Sequence, residues 1–264
     1  MKPLRGEVIR LCSTRLPLWA LLAAVGAGAG LTGLLALIGP EHSTPPMPGI
    51  QEPEGVGLVI GLSGLLLFIP ALIGTIAITS EYRHRTIGTT FLVVPRRGRV
   101  LTAKLVVYSV FGVIYGIVSS VASGLALVGA AALRGVPLGI GFSDLATMLA
   151  QLALAAAVYM VLGVAIGALA RNQLLAIGIV AGYFYFLEHV LMIIPGLNVI
   201  YPYLPGGATA SLTDFTFLTD TIAEQTPLTA AAILPPLLGA VVLAGYALIA
   251  STVAVLAPLR RDLG

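Results

Sequence analysis

Six long apolar runs, none interrupted by a lysine or arginine, constrain this chain more than any other feature of its sequence. They extend over roughly Leu18 to Ile38, Val56 to Ile78, Leu105 to Leu133, Leu145 to Ala170, Leu174 to Ile194 and Thr229 to Ala257. Each is long enough for a hydrocarbon core that takes about 20 apolar residues to cross as a helix. The apolar residues run on continuously instead of marking one face every 3.6 residues, so they suit lipid and one another. Composition agrees, with 58% hydrophobic and 9% charged residues against about 25% charged in soluble domains. The expectation is an all-α membrane protein of six transmembrane helices forming a single domain over residues 1–264. The third and last runs exceed the needed length, which predicts tilt or extension beyond the bilayer.

Thirteen of the fourteen basic residues fall on one side of such an arrangement, and Arg134 alone on the other. The positive-inside rule therefore places both termini in the cytoplasm. Glu41, Glu52, Glu54, Asp144, Asp214, Asp220 and Glu224 then lie outside. Ala27–Ala29 (AGA) has the small residues of a signal cleavage site, but the apolar run continues to Ile38, so the segment is expected to stay as a helix. The lone Cys12 excludes an intrachain disulfide and reads as a small apolar residue.

Residues 1–17 are expected to form an interfacial helix, with Leu4, Val8, Leu11 and Cys12 on one face and Arg5, Glu7, Arg10 and Ser13 elsewhere. In the outer segment 195–228, Ser211 and Asp214 have capping-box spacing. Leu212, Phe215, Leu218 and Ile222 then repeat at helical spacing, which predicts a short amphipathic helix on the outer face, with room for a re-entrant piece before it. Glycines recur four apart at Gly26/Gly30, Gly57/Gly61, Gly112/Gly116, Gly163/Gly167 and Gly178/Gly182. Such pairs allow close helix approach, although 31 glycines produce many by chance.

Several chemistries are missing. The stretch GLSG at Gly61–Gly64 matches the serine motif of rhomboid proteases, but His42, His84 and His189 lie away from the depth of Ser63, which reads as packing. Three scattered histidines and one cysteine form no metal set. Lys2 and Lys104, the two lysines, lack the context of a phosphate-binding loop, so any ATP hydrolysis belongs to a partner. Glu188 is the one acid within a span, a functional candidate on that ground. It stands fifteen residues into the fifth run, about 21 Å along at 1.5 Å per residue, so a solvated carboxylate at the outer interface is the plainer expectation.

The cytoplasmic loop 79–104 is the densest in charge, holding Arg83, Arg85, Arg96, Arg97, Arg99 and Lys104. Ser80 is placed to cap a short helix with Glu81 in its first turn, and Glu81 stands four before Arg85 in the order that favours an ion pair. Pro95 ends that helix and suits the first turn of the next. Topology and anionic headgroups account for Arg96, Arg97, Arg99 and Lys104. They do not account for Glu81 and a threonine-rich helix between the second and third spans.

The pattern TSEYRHRTIGTTFLVVPRRGRVLTAK resembles the cytoplasmic loop of ABC-2-type permeases, the membrane subunits of ATP-driven exporters. Glu81, Arg83, Thr86, Pro95, Arg97 and Lys104 occupy the motif positions, with Arg85 where a small residue is usual. The opening RGEVIRLCSTRLPLW is similar to the family's start at Glu7, Arg10, Leu11, Ser13, Arg15 and Trp19, and YPYLPGG to its outer loop. The resemblance implies two permease subunits, as a homodimer or a heterodimer, in the plasma membrane. Each would dock a cytoplasmic ABC ATPase, two copies in all, through a coupling helix between spans two and three. ATP and Mg would sit on that partner, and this chain would hold no cofactor. Glu81, Tyr82, Arg83, Arg85 and Thr86 would be coupling residues. An outward-moving apolar or amphipathic substrate (drug, antibiotic, peptide or lipid) would pass Phe68, Tyr183, Phe184, Phe186 and Glu188. Membrane lipid is a partner and nucleic acid is not. A secondary transporter would need intramembrane charges or broken helices, and a non-transporting membrane anchor or assembly protein would fit composition alone. Neither predicts the loop motif.

Overall fold

A computed structural model describes residues 2–84, 97–225 and 232–256. The described residues form helices α1 (Lys2–Ser13), α2 (Leu16–Ile38), α3 (Pro53–Ser63), α4 (Phe68–Arg83), α5 (Arg97–Arg134) and α6 (Phe142–Ala170), followed by α7 (Gln173–Ala181), α8 (Glu188–Ile193), α9 (Pro205–Leu212), α10 (Phe217–Gln225) and α11 (Pro236–Leu256). Six segments are long and apolar enough to span a membrane: Leu16–Ile38, Pro53–Arg83, Gly98–Arg134, Phe142–Ala170, Gln173–Ile193 and Pro236–Leu256. The all-helical, six-span expectation therefore holds.

Three spans depart from regularity or length. The second is α3 and α4 joined by a tight 3₁₀ turn at Gly64–Leu67, and the fifth is α7 and α8 joined by a π-helical stretch at Gly182–Leu187. The last begins at Pro236, later than the apolar run, and covers 21 of the described residues. Pro235 cannot donate to a helical ladder and Pro236 disfavours helix in the residue before it, so the helix starts at Pro236 itself. The third span does run long, 38 residues or about 57 Å at 1.5 Å per residue, well beyond a hydrocarbon core of about 30 Å.

Helix α6 is the hub, packed against α4, α5, α7 and α11, while α2 lies on α5. Glycine makes the closest of these crossings. A Cβ on Gly163 would stand 1.9 Å from the Ala71 carbonyl oxygen, and one on Gly116 2.3 Å from that of Ala153. The Thr75 hydroxyl uses the first approach to donate to the Gly163 carbonyl (3.0 Å) across the α4–α6 seam. The pairs Gly112/Gly116 and Gly163/Gly167 thus mark real contacts, whereas a Cβ at Gly26, Gly30, Gly178 or Gly182 would meet open space. Ser63 is a packing residue as expected: it is buried and its hydroxyl pairs with that of Thr32 at 2.8 Å.

The segment between α8 and α11 folds back over the bundle. Ser211 does not cap a helix; it lies inside α9, where its hydroxyl donates to the Gly207 carbonyl and accepts from the Leu234 amide. Asp214 takes a left-handed turn (φ 52°) and the amphipathic helix starts later, as α10. Ser211 bonds the carbonyl four residues back, a competing use of serine that a spacing rule cannot distinguish from capping. Helix α9 is almost wholly buried and packs on α11 instead of lying on the surface.

Candidate functional site

At the end of the bundle that carries α1, three elements bring four charges together. Helix α1 contributes Glu7 and Arg10, the last turn of α4 contributes Glu81, and the start of α5 contributes Lys104. Lys104 Nζ lies 2.6 Å from Glu81 Oε1 and 2.8 Å from Glu7 Oε1, and Arg10 Nη1 lies 2.9 Å from Glu81 Oε1. Glu7, Glu81 and Lys104 are all buried. Among the described residues two carboxylates meet two cations, a balance under which charges tolerate burial. The ring of Tyr108, one turn along α5, lies 5.6 Å from the ammonium and closes the side facing the bundle.

This geometry corrects two expectations. Ser80 does not start a new helix: α4 continues unbroken through Ser80 and Glu81 to Arg83, because no proline or glycine intervenes after Gly74. Glu81 therefore pairs with Arg10 and Lys104, and Arg85, its expected partner, lies outside the described residues, as do Thr86 and Pro95. Lys104 is not a headgroup contact but the centre of the cluster. Helix α1 also turns its Glu7 side inward and leaves Leu4, Val8 and Ile9 exposed, the arrangement of a helix whose apolar face meets lipid.

Beside the cluster, Tyr82 and Arg83 line an open groove of about 480 Å³ with Arg171, Asn172 and Gln173. The Arg83 guanidinium donates to Gln173 Oε1 at 3.3 Å, joining α4 to the start of α7. The α6–α7 corner there is built by Arg171 in the left-handed region (φ 53°) and by Asn172, whose side chain accepts from the Leu175 amide. With Arg83 and Arg171 beside the amides of Asn172 and Gln173, the groove is cationic and suited to an acidic or hydrogen-bonding protein surface.

At the opposite end, Phe68, Phe184 and Glu188 line one cavity of about 70 Å³ with Tyr159, His189 and Tyr201. Phe184 stacks obliquely on Tyr159 (4.8 Å between centroids) and edge-on to Tyr183 (5.2 Å). Phe186, 70% exposed, points away from it. Glu188 is only 2% exposed, which overturns the expectation of a solvated carboxylate and places an ionisable group inside the bundle. Its Oε2 accepts from the Gly206 amide at 2.6 Å, in the first turn of α9, where free amides favour an anion. Burial, and then the Glu188 carboxylate, push the Tyr201 phenol above its usual range.

The family described as ABC-2 family transporter protein matches residues 17–188. The chain belongs to this family. Among curated proteins none matches it. The ABC-2 match contains Glu81 and Lys104, while Glu7 and Arg10 precede it and Tyr201 and Gly206 follow it. Both sites of this ABC-2 chain are thus completed by segments outside the matched stretch. Sequence reasoning named Glu7, Arg10, Glu81 and Lys104 separately without joining them. The available signal was charge bookkeeping: the strongly basic side carries three acids, Glu7, Glu81 and Asp262, and Glu81 directly follows a span.

Proposed function

We propose that the chain is the permease subunit of an ABC exporter, with both termini cytoplasmic in the plasma membrane. A separate cytoplasmic ATPase, present in two copies and carrying ATP and Mg, powers it, and a second permease subunit completes the path. The buried cluster of Glu7, Arg10, Glu81 and Lys104 carries this reading. It fastens the last turn of the second span to the start of the third and to α1. A push delivered to the connecting loop therefore moves two spans as one body. Arg83, exposed beside the cationic groove, is the contact offered to the ATPase, with Tyr82 behind it and Arg85 and Thr86 further along the loop. The outward path for an apolar or amphipathic substrate runs by Phe68, Tyr183, Phe184 and Glu188.

Purification in mild detergent tests the reading. An ATPase subunit should copurify, and Arg83→Ala should weaken that association without lowering the melting temperature, since the side chain is exposed. Glu81→Ala with Arg83→Ala should abolish transport and substrate-stimulated ATP hydrolysis while membrane insertion persists. Full transport by the double variant would sink the coupling role.

A further inference from the structure

The Glu188 carboxylate is buried among aromatic rings, and among the described residues no lysine or arginine pairs with it. One oxygen is seated on the Gly206 amide; the other, Oε1, is fully hidden and has no hydrogen bond of good geometry among the described residues, the Tyr183 hydroxyl being the side chain in hydrogen-bonding reach of the carboxylate. It fronts the cavity that Phe68, Tyr159, Phe184 and Tyr201 line, and His189 adds a buried Nδ1 that is also unpartnered among the described residues. Tyr183 and Tyr246 stand within electrostatic reach of the carboxylate. The π-helical stretch that ends at Leu187 sets Glu188 into this position, a distortion often found at functional sites. An isolated carboxylate in hydrocarbon is costly unless it takes up a proton or a counter-charge visits it.

We propose that this cavity binds the ammonium group of an organic cation, with Glu188 as counter-ion and the aromatic rings as cation–π walls. One carboxylate with phenol and phenyl faces suits a substituted ammonium, which ring faces attract within about 6 Å. It does not suit a hard metal ion, which takes about six oxygen ligands. The space of about 70 Å³ holds a compact head group and not a whole amphiphile, so the apolar remainder extends out of the cavity. The inference gives the substrate of the proposed permease a charge class and takes its physiological meaning from that reading, but binding itself needs no ATPase.

Equilibrium dialysis of radiolabelled phenyltrimethylammonium against the full chain in nanodiscs of zwitterionic lipid, with empty discs subtracted, tests it. Saturable binding is expected, with affinity falling about tenfold or more in Glu188→Gln, the scale of a lost charged contact. The uncharged isostere tert-butylbenzene should not compete. Gly64→Leu gives an independent variant: Gly64 lines the cavity and a Cβ there meets nothing within 4 Å, so the larger side chain fills the space without a clash at its base and should eliminate binding. Melting temperatures establish that each variant is folded, and if Glu188→Gln is not, Gly64→Leu decides. No saturable binding to the wild type, effective competition by tert-butylbenzene, or wild-type affinity in the folded variants overturns the proposal. Copurification of an ATPase without amine binding would defeat this inference and leave the permease reading standing; amine binding without an ATPase would do the reverse.

Discussion

Glu81 and Glu188 are equally hidden, at 3% and 2% exposure, yet they sit in opposite electrostatic company. Glu81 has two cations within 2.9 Å, brought by α1 and α5. Glu188 has a backbone amide, four tyrosines within electrostatic reach and a cavity. A buried charge that is neutralised inside the protein becomes a joint, since each partner resists displacement of the others. A buried charge left without a cation holds its environment open to one. The first arrangement serves transmission of force and the second serves recognition.

The largest effect that would break this contrast comes from Lys104→Met. It leaves Glu7 and Glu81 buried with Arg10 as their remaining cation among the described residues, and loss of one member of a buried ion pair costs about 3–5 kcal/mol. Thermal unfolding in detergent should show it, and adding Glu7→Gln and Glu81→Gln should recover much of the loss. An unchanged melting temperature would mean that the cluster is no joint.

Gly206→Ala acts on the other carboxylate. Its Cβ would stand 2.0 Å from Glu188 Oε2, so either the carboxylate or α9 must shift, at about 1–3 kcal/mol for overpacking. Combining it with Glu188→Asp, which withdraws the carboxylate by one methylene, should restore part of the melting temperature. Glu188→Gln alone should move stability the opposite way from Lys104→Met, raising it by about 1 kcal/mol, because it removes a charge that no cation offsets. A loss as large as that of Lys104→Met would show that Glu188 has a strong internal partner and would erase the comparison.

How far each site was legible from sequence follows the same division. The spans were readable because lipid imposes a local rule, satisfied run by run, and they failed only where Pro235 delayed the last helix. The family resemblance had singled out Glu7, Glu81 and Lys104, but their meeting joins residues 74 and 97 positions apart and no periodicity encodes it. Ser80 and Glu81 misled because a serine–glutamate pair is as compatible with mid-helix as with a cap. Glu188 was placed correctly along its helix and wrongly in its surroundings: counting the rise cannot show that α9 folds back and seals the helix end. Phe68 and Phe184 were reachable as aromatic residues near one depth, whereas the outward turn of Phe186 depends on the π-helical stretch, which has no simple sequence signature.

A third carboxylate sharpens the comparison by supplying the half-buried case. Glu41 follows α2 and pairs with Arg134, whose other guanidinium nitrogen donates to the Ala36 carbonyl at 2.8 Å. Slight desolvation alone would raise the Glu41 carboxyl. Its own backbone amide and the Arg134 guanidinium outweigh that and hold it below the usual carboxylate range. A carboxyl lowered by folding contributes stability that is present above its unfolded pKa of about 4.3 and is lost as the pH falls through the lower folded value. Arg134→Met should therefore lower stability at neutral pH by a part that fades on acidification and a part that does not. The fading part reports Glu41 and stays at about 1 kcal/mol, since the pair is still partly open to solvent. The constant part reports the lost bond to Ala36. Melting temperatures of wild type and variant followed from neutral pH into the acid range separate the two. A gap that stays the same width throughout would assign all of Arg134's contribution to the α2 carbonyl and none to the ion pair, leaving the buried cluster as the one place among the described residues where charge pairing holds helices together.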